Sequence, residues 1–104
     1  MNMIESAKEQ VRQLTQRAYR ACVDAGTLPG GIETVPAVEI PKDTANGDYT
    51  TTFCLAAAKA MKMNPRQVAQ TLIDAMALED SYFTAVELAG PGFLNFRLGG
   101  KWYA

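Results

Sequence analysis

The sequence contains no histidine, only two cysteines and no long apolar run, and each scarcity excludes a class of function. Without imidazole there is no Ser-His-Asp or Cys-His catalysis, no zinc site with histidine ligands and no histidine charge switch near neutral pH. Cys22 and Cys54 are too few for a disulfide framework or a thiolate metal cluster, so we expect two small buried thiols in a reducing cytosol.

Membrane and export signals are lacking as well. No segment approaches the roughly 20 apolar residues of a membrane span. The N-terminus carries Glu5, Lys8 and Glu9 where a signal peptide would have an apolar segment. The sequence therefore predicts a cytoplasmic protein with no membrane partner.

The sequence also lacks an excess of charge of either sign. Lys plus Arg number 10 and Asp plus Glu number 11, for a net charge of -1. A protein that grips nucleic acid through its whole surface would be strongly basic, so only a local contact with nucleic acid remains. A chain of 104 residues holds one core but hardly also a deep cleft. Residues 1–104 are thus predicted to form a single domain, better suited to binding than to catalysis.

Apolar periodicity predicts three helices. Steps of three and four between apolar residues predict an amphipathic helix over about residues 2–25, ended by Gly26. Asp48 is interpreted as the N-cap of a second helix. Asn64 as N-cap, with Pro65 at the first helical position, predicts the start of a third.

Three segments are predicted to be strands. The first covers about residues 34–41, and Pro36 places it at a sheet edge or gives it a bulge. Residues 82–88 and 93–98 flank Gly90-Pro91-Gly92, which predicts an antiparallel hairpin. The order helix, strand, helix, helix, strand, strand predicts an α+β fold of two layers, a small antiparallel sheet covered on one face by helices.

The last predicted strand carries the candidate site. Alternate side chains point to opposite faces of a sheet. The set predicted to face the core is Leu94, Phe96 and Leu98. The set predicted to be exposed, on the face away from the helices, is Phe93, Asn95 and Arg97. A ring, an amide and a guanidinium in a row could stack an unpaired base, bond its edge and meet a phosphate. Alternatively, Phe93 simply covers the turn.

No catalytic, cofactor-binding or metal-ligating residue is predicted. Gly30-Gly31 lacks the Lys and Ser/Thr of a phosphate-binding loop. The carboxylates offer no acid and base pair at helical spacing in an apolar setting. An independent enzyme is therefore disfavoured.

Four sequence blocks resemble the N-terminal additional domain of arginyl-tRNA synthetases. They are Gly47-Asp48-Tyr49, Ala57-Ala58-Lys59, Asn64-Pro65-Arg66 with Val68-Ala69, and the run from Val86 to Phe96. The resemblance covers nearly the whole chain. It implies an α+β domain that lies apart from the catalytic Rossmann domain and touches the D-loop corner of the tRNA. In that family an aromatic residue and an Asn or Gln two positions later contact a D-loop nucleotide, and these positions correspond here to Phe93 and Asn95.

The chain departs from the family in two ways. It has threonines in the row Thr50-Thr51-Thr52 where the family usually has an asparagine, which we interpret as a change in packing at a helix start. It also lacks the catalytic His-Ile-Gly-His and Lys-Met-Ser-Lys signatures, so we expect it to be excised from a longer chain.

The resemblance implies a parent enzyme that attaches arginine to its tRNA with ATP and Mg²⁺, whereas no cofactor is expected in residues 1–104. The implied partners are the D-loop of tRNA(Arg) and the catalytic domain of the parent. The alternative is a structural module that docks on that catalytic domain and makes no direct RNA contact.

Overall fold

The computed structural model of the chain describes residues 3–32, 35–41, 47–79 and 81–99. Within these ranges the elements are α1 (Met3–Ala25), β1 (Val38–Glu39), β2 (Tyr49–Thr51), α2 (Phe53–Met61), α3 (Pro65–Ala75), β3 (Phe83–Ala89) and β4 (Phe93–Leu98). The strands form one antiparallel sheet in the order β1-β2-β4-β3. The predicted α+β class is confirmed, with one strand more than the sequence indicated.

The three predicted helices are present. α1 ends where expected, because Gly26 has a φ of +79°, a left-handed conformation that glycine adopts without a Cβ clash. The amide of Thr27 then donates to the carbonyl of Cys22 at 2.9 Å. α3 begins as predicted: Pro65 opens it, and the Asn64 side-chain oxygen accepts from the amide of Arg66 at 2.9 Å.

The predicted start of α2 is wrong. Thr52, not Asp48, stands at the N-cap, and the residues between them form β2. The Asp48 amide donates to the carbonyl of Phe96 at 2.8 Å, and its carboxylate accepts from the amide of Leu98 at 2.8 Å. Asp48 thus extends the pairing of β2 with β4, and this pairing overrides the local preference for a helix cap.

The outer strands differ from the prediction only in length. β1 lies at the sheet edge as predicted but pairs over just two residues, and residue 34 of the predicted strand lies outside the described residues. Pro36, which precedes β1, is buried. The hairpin of β3 and β4 is antiparallel, as predicted.

The core lies between the sheet and the helices. α1 contributes Ala7, Val11, Leu14, Ala18 and Cys22 to it. Phe83 and Phe96 pack edge to face with ring centroids 5.5 Å apart, and Tyr49 meets Phe83 in the same way at 5.9 Å. Cys22 and Cys54 are buried free thiols, as predicted, and burial raises the pKa of Cys54 to about 12. Of the helices in the described ranges, none has the length and apolarity to cross a membrane.

Candidate nucleic-acid interface

A groove runs over the sheet face that points away from the core. Its volume is about 380 Å³, within the range of pockets that hold small ligands. The lining residues are Glu39, Pro41, Thr50, Thr52, Ala89, Gly90, Phe93 and Asn95. Phe93 and Asn95, two of the three predicted site residues, therefore line the same groove.

Strand register explains the shape of this groove. Thr50 of β2 lies opposite both Glu39 of β1 and Asn95 of β4, so the three side chains share one face. Thr50 and Thr52, the residue that follows β2, are small and form the floor. The longer side chains on β1 and β4 form the walls.

The turn between β3 and β4 holds the ring of Phe93 at one end of the groove. Gly90 lies against the ring so closely that a Cβ there would be 3.2 Å from Cδ2 of Phe93. This turn packs on the start of α3, since a Cβ on Gly92 would be 2.8 Å from the Cβ of Pro65. The Arg66 side chain also donates to the carbonyl of Gly90. A half-buried ring on an anchored turn can stack a flat group without first being ordered.

Asn95 is less exposed than the sequence predicted. Only 6% of its surface is accessible, because the neighbouring strands carry side chains on both sides of it. The hydroxyl of Thr50 donates to Oδ1 of Asn95 at 2.8 Å. The Asn95 NH2 group donates to none of the described residues. Every fully buried side-chain nitrogen or oxygen in the described ranges has a hydrogen-bond partner, so the NH2 group, which has none, is reached by solvent. A donor therefore remains available to a ligand.

Arg97, the third predicted site residue, does not line the groove. Its Nε lies 3.0 Å from Oε1 of Glu87, the residue directly opposite Asn95. Both side chains are partly exposed, and the pair reduces the local positive charge. Two more cations lie nearby: Arg66 beside the turn, and Lys59 next to Thr52 in an adjoining depression.

Sequence reasoning missed Glu39 and Thr50 as groove residues. Thr50 lies on β2, in the segment where the sequence predicts a helix start, and Glu39 lines the groove because β1 pairs with β2. The signal was present, since an aromatic residue followed by three threonines is typical of a strand. Elsewhere in the described ranges, no group of three or more acidic, cysteine or histidine residues could hold a metal ion. The arrangement provides stacking and hydrogen bonding.

The fold and the groove together define a small α+β module with a groove on its open sheet face. The family model described as the arginyl tRNA synthetase N terminal domain matches residues 3–98. The chain belongs to this family of arginyl-tRNA synthetase N-terminal domains.

Relatives in sequence and in structure agree with this assignment. The arginine–tRNA ligase of Acetivibrio thermocellus is 38% identical over 97% of the chain, and that of Staphylococcus aureus is 35% identical over 98%. The chain spans only 18% of the length of each of these ligases. The arginyl-tRNA synthetase structure from Thermus thermophilus matches 90% of the chain and 14% of its own length, with a TM-score of 0.69 and 22% identity. The Plasmodium falciparum enzyme matches 91% of the chain and 16% of its own length, with a TM-score of 0.70 and 13% identity.

Proposed function

We propose that the chain acts as the tRNA-contacting domain of an arginine–tRNA ligase and that its groove holds one nucleotide of the D-loop. Phe93 stacks on the base and the NH2 group of Asn95 donates to its edge. The catalytic part of that ligase joins arginine to tRNA(Arg) with ATP and Mg²⁺, and the domain adds a contact with the tRNA at a distance from that reaction.

One observation carries the proposal: an anchored aromatic ring and an amide with an unused donor line the same open groove. Unpaired bases are recognised by this combination, because every base has a flat face and a polar edge. Arg97 is the proposed phosphate contact, and it would exchange part of its pairing with Glu87 for the backbone of the RNA. Because the chain carries a net charge of -1, the contribution of the domain is one local contact and not a broad electrostatic grip.

The test measures tRNA(Arg) binding by the full-length ligase that contains this domain. Phe93→Ala is expected to weaken binding by the loss of one stacking contact, about 1–3 kcal/mol, and Asn95→Ala by about 1 kcal/mol. Filter binding at fixed salt gives the dissociation constants, and nuclease footprinting reports whether protection of the D-loop is lost.

A matched control truncates an apolar side chain outside the groove. Val23 on α1 is half-buried, as Phe93 is, and does not line the groove, so Val23→Ala should leave tRNA binding unchanged. Wild-type affinity and D-loop protection in both Phe93→Ala and Asn95→Ala would contradict the proposal.

The alternative function, docking on the catalytic domain without RNA contact, is favoured by a different feature. Val35 and Ile40 flank the edge strand β1 and expose 66% and 54% of their surfaces, and exposed apolar patches often mark protein interfaces. If this alternative holds, Phe93→Ala lowers the melting temperature of the full-length ligase but leaves discrimination among D-loop variants unchanged.

A further inference from the structure

The floor of the groove orients the amide that the proposed function uses. Thr50 donates its hydroxyl to Oδ1 of Asn95 at 2.8 Å, and the same hydroxyl lies 3.3 Å from the carbonyl of Leu94. Because a hydroxyl proton occupies the carbonyl end of the Asn95 amide, the NH2 end is the one left for a ligand. In this arrangement Asn95 presents a donor to the groove.

The opposite wall of the groove presents an acceptor. Glu39 is exposed, and its carboxylate makes no hydrogen bond or ion pair with any residue in the described ranges. An ionised carboxylate can only accept hydrogen bonds. Glu39 and Asn95 lie on either side of Thr50, two strand spacings apart, or about 10 Å between backbones. Both side chains line the groove on the same face of the sheet, so both are in position to approach a base that lies over Thr50.

We propose that Thr50 is a positioning residue that fixes Asn95 as a donor, and that Glu39 is the opposing acceptor for the same base. The groove then takes an unpaired nucleobase whose Watson–Crick edge is free, since that edge carries an acceptor next to an N–H group in each of the four bases. A base that is paired, or methylated on that edge, is rejected. This inference rests on the proposed function, because it assumes that the ligand is a base of the tRNA.

The first experiment measures base dependence and not affinity alone. The full-length ligase is titrated with tRNA(Arg) and with the same tRNA made abasic at the D-loop nucleotide that the wild-type ligase protects. The ratio of the dissociation constant for the abasic tRNA to that for native tRNA(Arg) reports recognition of the base. Thr50→Val keeps the side-chain shape but removes the hydroxyl, so this ratio should fall about three- to tenfold, the effect of one hydrogen bond.

Conservative and matched variants separate positioning from general destabilisation. Thr50→Ser keeps the hydroxyl and should restore the wild-type ratio. Thr84→Val makes the same change at an exposed threonine of β3 outside the groove and should leave the ratio unchanged. If Thr50→Val does not fold, Thr50→Ala provides the test: it also removes the hydroxyl and leaves a smaller side chain, so the ratio should again fall.

A second set of variants tests Glu39. Glu39→Ala should lower the ratio, and an N-methyl group on the Watson–Crick edge of the protected base should weaken binding by the wild-type ligase. Glu79→Ala removes an exposed carboxylate outside the groove and serves as the control. If Glu39 only repels phosphates, Glu39→Ala tightens binding to native and abasic tRNA equally, which would overturn its role as an acceptor.

The two levels of the hypothesis fail in different ways. If Phe93→Ala and Asn95→Ala lower the ratio but Thr50→Val keeps it at the wild-type value, the role of Thr50 is wrong and the proposed function stands. If Phe93→Ala and Asn95→Ala also leave binding unchanged, the proposed function itself fails.

Discussion

Gly47 packs against β4 in a conformation and at a distance that a residue with a Cβ cannot adopt without strain. Its φ is +91°, and a Cβ there would be 3.1 Å from the carbonyl oxygen of Phe96 and 3.2 Å from Cβ of Asn95. The missing side chain therefore leaves room for β4 at the point where Asn95 is held.

Substitution of this glycine tests the close contact separately from the backbone strain. Gly26 also has a positive φ, +79°, but nothing lies within 4 Å of its would-be Cβ. We expect Gly26→Ala to lower the free energy of unfolding by about 1 kcal/mol, through backbone strain alone. Gly47→Ala should cost about 1–3 kcal/mol more, because β4 must also shift. Urea unfolding of both variants gives the comparison, and equal costs would contradict the role assigned to the contact.

At the level of single residues, the sequence predicted which side chains share a face but not how exposed they are. Alternation along β4 correctly placed Phe93 and Asn95 together. The near-complete burial of Asn95 depends on Thr50 and Glu87, which lie opposite it on the two neighbouring strands. Alternation along one strand does not predict which residues of the neighbouring strands lie opposite. For the same reason, the pairing of Arg97 with Glu87 could not be read from β4 alone.

Among the elements, the two short helices begin in different ways. The side chain of Asn64 accepts a hydrogen bond from the amide of Arg66, whereas Thr52 makes no such bond at the start of α2. A side-chain cap satisfies an amide that would otherwise have no partner in the helix.

This difference predicts unequal costs of truncation. Asn64→Ala should lower the free energy of unfolding by about 1 kcal/mol, because the cap hydrogen bond is lost. Thr52→Ala should cost less than half as much, since no cap bond is removed. Chemical denaturation of the two variants tests this, and a larger loss for Thr52→Ala would contradict the assignment of caps.

Local signals were sufficient for the helices and the hairpin but not for β2. Gly26, Asn64 and Pro65 determine helix ends through their own conformations and bonds, so the sequence predicts them well. β2 has only three residues, and its stability comes from β1 and β4. Asp48 is a good cap in isolation, yet tertiary pairing decides its role.

For the molecule as a whole, the balance of charge predicts how salt affects tRNA binding. The net charge is -1, and Glu39 and Glu87 lie close to the groove. Stacking on Phe93 releases few counterions, whereas each phosphate contact by a cation contributes about one unit to the slope of log Kd against log salt.

Phe93→Ala is therefore expected to weaken tRNA binding by the full-length ligase by a similar factor at low and high salt. Arg97→Ala, which removes the proposed phosphate contact, should instead make the salt dependence shallower by about one unit. Arg12→Ala is a control, because Arg12 lies on α1 and pairs with Glu9 at 3.2 Å. Titrations across a salt series test these expectations, and a change of one unit or more in the slope for Phe93→Ala would contradict them.

The central position of β2 also affects how the groove comes into existence. Thr50 and Asn95 are 45 residues apart in sequence, and no local turn or helix brings them together. Chain segments so far apart meet only after the entropy of closing the long intervening loop has been lost. The groove therefore has no partly folded precursor within a single hairpin, and it forms and disappears together with the cooperative folding of the domain.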